Sequence, residues 1–168
     1  MTQMTISDPM TFSRQIDSSK HDAVPRKLQV VGDRSVDAAI AMHQDVVRIY
    51  EEAFNAQSFD FDSDVGHFMA PDITIVSGGA LGGRSVLAET SDARADYVRN
   101  RQAMVSIDLD LSCVADLDTT VVVVAEGDLT FTHPDGTTFT QQLQVSSTLR
   151  LLCGNWVFQH IHCGSGCF

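Results

Sequence analysis

The order of periodicities along the chain predicts an α+β domain in which helices come first and pack on one face of a bent, mostly antiparallel sheet. Two observations carry this reading. Apolar residues recur at helical spacing between Val36 and Phe54, and a second helical stretch runs from Arg84 to Arg101. Beyond it, alternation with a period of two continues from Val105 to Cys163, broken by turn signals and never by a further helix.

A length of 168 residues suits one domain with a full-sized core, and 43% apolar with 20% charged residues are globular proportions. Residues 1 to about 33 mix Ser, Asp, Lys and Gln with single apolar residues and hold Pro25, so 1–34 is expected to be a mobile leader and 35–168 the domain. The short apolar run Leu28–Val31 is the part of that leader expected to dock. Residues 1–34 hold five Lys/Arg against four Asp, whereas 35–168 hold six Arg against eighteen Asp/Glu, a net charge of −12. That field repels phosphate backbones and anionic lipid, which argues against nucleic acid and membrane surfaces as partners and leaves a neutral or cationic small molecule or a protein. No window reaches the roughly twenty apolar residues of a membrane span, and the first ten residues lack a signal-peptide pattern. A cytoplasmic location is expected by default. Cys113, Cys153, Cys163 and Cys167 are then read as thiols.

Val36, Ile40, His43, Val47, Tyr50 and Phe54 form one stripe of an amphipathic helix, with Ser35 as N-cap and Asp37 in its first turn. His43 and Tyr50 lie within that stripe, and His43 reads as a core histidine with one nitrogen satisfied. Asp60, Asp62 and Asp64 resemble the start of a calcium loop, but Val65 and Pro71 stand where an EF-hand needs Gly and a bidentate Glu. The aspartates instead cap a short second helix expected to run to about Met69, with Phe61, Val65 and Phe68 facing inward and Pro71 ending it. Ile73, Ile75 and Ser77 alternate as a short strand, and Gly78–Gly83 reads as a turn because it lacks the Lys-Ser/Thr of a phosphate loop. The third helix follows over Arg84–Arg101. Val105–Cys113, Val121–Thr132 and Leu143–Leu151 are strands, with Pro134-Asp135-Gly136 and Cys153-Gly154-Asn155 as turns.

The last strand, Asn155 to Cys163, carries the chemistry. Strict alternation puts Trp156, Phe158, His160 and His162 on one face and Val157, Gln159, Ile161 and Cys163 on the other. If the first face lines a curved sheet, two aromatics close the core and two imidazoles reach a cavity. H-x-H with His43 offers three imidazoles, and Cys163 and Cys167 add two sulfurs. Cys163 alternates away from the histidines, however, and C-x-x-x-C is a poor zinc spacing. No metal and no cofactor are expected.

Arg150, Gly154, Trp156, Phe158, His160 and His162, followed by Gly164 and Ser165, resemble the terminal hairpin of the nuclear transport factor 2-like superfamily. The likeness is greatest to its SnoaL-like domains and to the association domain of calcium/calmodulin-dependent kinase II. The phrases Ile49–Ala56 and Phe68–Ile75 are of the same type. The resemblance covers about residues 35–166. It implies a cone of three N-terminal helices on a strongly curved sheet enclosing one pocket, and a homodimer formed through the sheet. In the ketosteroid isomerase branch a helix-one tyrosine donates to the developing enolate, and Tyr50 holds the equivalent place. The aspartates of that branch correspond here to Ser77 and to Ser147 or its neighbour, so its mechanism does not transfer. A carbonic-anhydrase-like branch with His-His-Ser-Ser is matched here only by Ile161-His162-Cys163-Gly164.

The resemblance therefore implies a cyclase, dehydratase or isomerase acting on a small apolar or carbonyl-containing molecule. His160 or His162 would be general acid or base, since an imidazole titrates near neutrality. Tyr50 would donate to a carbonyl, while Trp156, Phe158, His43, Ser77 and Ser147 would line the substrate. The competing expectation is a binding or oligomerisation module of the same fold, in which the histidines serve structure alone.

Overall fold

The computed structural model describes residues 33–77 and 80–164. The expected leader up to residue 32, Gly78, Gly79, Ser165 and Cys167 lie outside the described residues. The chain runs α1 (Val36–Asn55), α2 (Phe61–Asp64), a 3-10 turn (Gly66–Phe68), β1 (Met69–Ser77), β2 (Ala80–Gly82), α3 (Arg84–Arg101), β3 (Met104–Asp116), β4 (Thr120–Thr132), β5 (Thr138–Leu152) and β6 (Asn155–Cys163). One open six-stranded sheet has the order β2-β1-β6-β5-β4-β3, antiparallel throughout except for the parallel pair β1–β6. The expected α+β architecture is therefore the observed one.

Ser35 caps α1 by accepting a hydrogen bond from Ala38 N at 3.1 Å, and Asp60 caps α2 by accepting from Ser63 N at 2.9 Å. The second helix is shorter than expected. After one α-turn the chain passes through the 3-10 turn, and Met69 already belongs to β1, so Pro71 sits in a strand and does not terminate a helix. Arg84 holds this corner, its guanidinium donating to the Gly66 carbonyl at 2.6 Å and to Asp62 at 2.9 Å. Two apolar layers close between the helices and the sheet around Phe54, Val65, Val98, Val121, Val123, Leu129 and Leu149, all essentially without exposure. Burying such side chains contributes about 1.5–3 kcal/mol each.

Two local devices shape the sheet. Gly127 stands where β4 presses on β3, and a Cβ at that position would run into the Asp108 carbonyl. In β6, Phe158 pairs with Leu149 and His160 with Thr148, so two steps on β6 match one on β5 and Gln159 is the extra residue of a β-bulge. This bulge overturns the expected face assignment. Beyond Gln159 the alternation is shifted by one, so Ile161 pairs with Ser147 on the inner face while His160 pairs with Thr148 and His162 with Ser146 on the outer face.

The edge strand β3 is tied to α1 by side chains. Asn55 donates through Nδ2 to the Val105 carbonyl at 2.8 Å and accepts from Val105 N at 2.7 Å, and Glu51 accepts from Ile107 N at 2.8 Å. Those bonds cover the start of an otherwise open edge. No helix among the described residues is long and apolar enough to cross a membrane.

Candidate functional site: an apolar cavity between α1, α3 and the sheet

Helix α1 lies across the concave face, and the space beneath it is a cavity of about 140 Å³. Its wall is mostly aliphatic and aromatic, with Val46, Phe54, Leu87, Leu109, Leu143 and Phe158 among the contributors. Polar groups enter at a few points: His43 and Tyr50 from α1, Ser91 and Arg94 from α3, Ser147 from β5, and the Cys163 thiol from β6. No carboxylate is among the described lining residues.

Four of these groups form two pairs. His43 Nε2 lies 3.3 Å from Ser147 Oγ, and its ring stands edge-on to Phe158 with centroids 5.0 Å apart. His43 is 5% exposed, and its Nδ1 has no hydrogen-bond partner among the described residues. Burial without a compensating charge disfavours the imidazolium and lowers the His43 pKa to about 4, so the ring is neutral at pH 7. The second pair joins Tyr50 Oη to Ser91 Oγ at 3.0 Å. Tyr50 stacks on Phe59 with centroids 5.3 Å apart, and burial pushes its pKa up to about 12 although the Ser91 bond and the nearby Arg94 oppose the shift. The phenol therefore stays protonated and can donate. Both pairs rise from one helix face seven residues apart, roughly 10 Å along the axis, so they mark two ends of the cavity.

Of the residues expected at the site, His43, Tyr50, Ser147 and Phe158 come together there. Trp156 is buried, but its indole Nε1 donates to the Asp33 carbonyl at 3.0 Å, fastening the entry to α1. Ser77 closes the end of β1, paired with Ala80 and Cys163 and away from the cavity wall. His160 and His162 face outward, for the reason given by the bulge, and His162 lies in a surface depression with Val124, Glu126 and Ser146. The sequence reading missed Ser91 and Arg94. A helical wheel of α3 centred on Leu87 and Val98 puts Ser91 and Ala95 on the same buried side, which is the signal that could have found the serine.

No sequence-family model matches the chain, and no curated protein sequence matches it. Solved structures do. Aln2 from a Streptomyces species superposes with a TM-score of 0.60 at 16% identity over 77% of this chain and 91% of that one. A variant of the protein Rv3472 from Mycobacterium tuberculosis, of unknown function, gives 0.56 at 18% identity over 74% and 70%. A candidate dehydratase of the NTF2-like family from Streptomyces avermitilis gives 0.54 at 15% identity over 77% and 97%. Helices laid across a curved open sheet, a cavity beneath the first helix and these superpositions lead to one conclusion: this chain has the nuclear transport factor 2-like fold.

Proposed function

We propose that the chain binds a small, neutral, mostly apolar molecule in the cavity beneath α1, holding it by hydrogen bonds to the His43–Ser147 and Tyr50–Ser91 pairs. The observation that carries this reading is an apolar cavity of about 140 Å³ whose wall includes no carboxylate among its described residues, whose histidine is neutral, and whose Arg94 guanidinium already has an interaction of its own. A dry apolar cavity near 150 Å³ accommodates a molecule of benzene size. A ring of that size with a carbonyl or hydroxyl fits the present lining.

The test is a melting-temperature titration against cyclic ketones, phenols and the corresponding hydrocarbons and carboxylates. Neutral ring compounds with one or two hydrogen-bonding groups are expected to raise Tm, since a ligand at a hundred times its Kd stabilises by about 2.7 kcal/mol. Val145→Phe, which fills the cavity, should abolish the rise. A response confined to carboxylates, or none at millimolar concentration, overturns the reading.

A second reading keeps proton-transfer chemistry, of the cyclase, dehydratase or isomerase kind, at the same cavity. It is favoured by the unpartnered His43 Nδ1 and by a Tyr50 phenol able to donate to a carbonyl oxygen. In this reading His43 takes the acid/base role that the family resemblance implied for His160 or His162. A histidine with a pKa of about 4 is a weak base, which is why binding stands first. Turnover of a bound ketone that is lost in both His43→Leu and Tyr50→Phe, with binding kept in Tyr50→Phe, would promote the second reading.

The homodimer expected through the sheet is part of the same proposal. Its support is the outer face of β4, β5, β6 and β1, where pairing aligns Val122, Thr148, His160 and Thr74 in one row and Val124, Ser146, His162 and Val76 in the next.

A further inference from the structure

The long edge strand β3 is protected at its start and open further on. Val105 and Ile107 turn their backbone groups away from β4, as their bonds to Asn55 and Glu51 show. By the alternation of an antiparallel ladder, Leu109 and Leu111 turn theirs the same way. Neither has a backbone or side-chain partner there among the described residues. A groove of about 340 Å³ lies along this stretch between α1 and β3, lined by Gln44, Val47, Glu51, Ile107, Leu109 and Leu111.

The two faces flanking the edge differ in chemistry. Leu109 and Leu111 are half-buried on the inner side, while Asp108 and Asp110 are exposed on the outer side, opposite Asp128 and Glu126 of β4. Like charges directly opposite one another on a sheet destabilise it, so a cation beside this quartet would relieve repulsion. A strand that pairs here should alternate apolar with basic or polar residues.

One segment of this chain has that pattern. Arg26-Lys27-Leu28-Gln29-Val30-Val31 places Arg26, Leu28 and Val30 on one side and Lys27, Gln29 and Val31 on the other, and both lysines of the chain lie before residue 33. It lies two residues before Asp33, whose carbonyl is held by Trp156. Trp156 pairs with Leu151, Leu151 N donates to the Thr119 carbonyl, and β3 ends at Asp116 opposite Val121, so Asp33 sits at the end of the sheet towards which β3 runs. A segment leading into Asp33 along the β3 edge would run parallel to β3, and six extended residues span roughly 20 Å, the length of Leu109–Val114.

We propose that the open edge of β3 from Leu109 to Val114 is a docking site for an added parallel strand, and that its occupant is this chain's own segment Arg26–Val31. The sheet would then have seven strands, and the basic segment would offset the acidic quartet.

Backbone amide hydrogen exchange of the full chain tests it. Leu109 and Leu111 should exchange at least tenfold more slowly than unprotected amides, at a rate independent of protein concentration. Val30→Pro, which removes a strand donor, should accelerate both at least tenfold and leave Val105 and Ile107 unchanged. The double substitution Arg26→Glu and Lys27→Glu, which keeps every backbone donor, should do the same to a smaller degree and lose its effect at high salt. Unprotected Leu109 and Leu111 amides in the full chain overturn the proposal. So does protection that grows with concentration, which would mean a second copy on the edge, and so does protection indifferent to Val30→Pro.

Discussion

His43 illustrates how one side chain couples the cavity to stability. Its pKa is lowered from 6.5 to about 4 in the folded chain, so between those values the unfolded chain binds the extra proton. The stabilisation is fully present above pH 6.5, declines as pH falls towards about 4, and changes no further below it. A shift of this size is worth on the order of 3 kcal/mol. Wild-type protein should lose that much stability on acidification from pH 7 to pH 4 beyond what His43→Leu loses, as read by denaturant unfolding at each pH; equal pH slopes for the two proteins would show that His43 is not buried neutral. Ser147→Ala tests the same pair from the other side. It strands His43 Nε2 in an apolar wall and should cost about 1–3 kcal/mol at pH 7. Ser147 itself is 1% exposed, so solvent has no ready access to replace the bond.

At the scale of elements, β6 shows where the sequence was legible and where it was not. The stripe from Val36 to Phe54, the helix Arg84–Arg101 and the long alternating runs were readable because burial of one face leaves a period in the sequence. The two strand limits that differ most, Met69 for β1 and Thr138 for β5, lie where Pro71 and a run of Thr and Gln interrupt the apolar alternation and leave no period to read. The bulge at Gln159 left no mark either, because its residue is not a glycine, so the phase slip that turns His160 and His162 outward was invisible. This slip makes an unusual prediction. Deleting Gln159 restores a regular ladder with Leu149 opposite Phe158 and Thr148 opposite His160, keeping Ile161 and Cys163 inside. The deletion should therefore leave a folded protein, at a cost of about 1–3 kcal/mol for lost local contacts such as Gln159 Nε2 to the Asp72 carbonyl. Inserting one glycine after His160 instead drives Ile161 and Cys163 into solvent and should abolish cooperative unfolding by near-ultraviolet circular dichroism. If the deletion unfolds the chain as the insertion does, the strand has no bulge and the histidines line the interior after all.

For the whole molecule, the distribution of charge over the outer sheet face bears on assembly. With a formal net charge of −11, copies of the chain repel one another on average. The carboxylates Asp108, Asp110, Glu126 and Asp128 concentrate that repulsion on β3 and the adjoining half of β4. Next to them, the two aligned rows from Val122 to Thr74 and from Val124 to Val76 contain no Asp, Glu, Lys or Arg. That window of Val, Thr, Ser and His side chains is where two copies can meet, and a two-fold contact would use the same patch on both. Val124 is half-buried in the free chain and stands beside Ser146 at its centre. Val124→Asp would then place two carboxylates near the two-fold axis, while in an isolated chain it adds one charge to a half-exposed position at small cost. Light scattering should give twice the chain mass of 18.3 kDa for the wild type and once that mass for Val124→Asp, with the variant's Tm no longer dependent on concentration. Asp128→Ser, outside the window, should leave the dimer intact or strengthen it at low salt. A wild type that runs as a monomer, or a dimer indifferent to Val124→Asp, would mean that the outer face is not the meeting surface and that the charge pattern serves solubility alone.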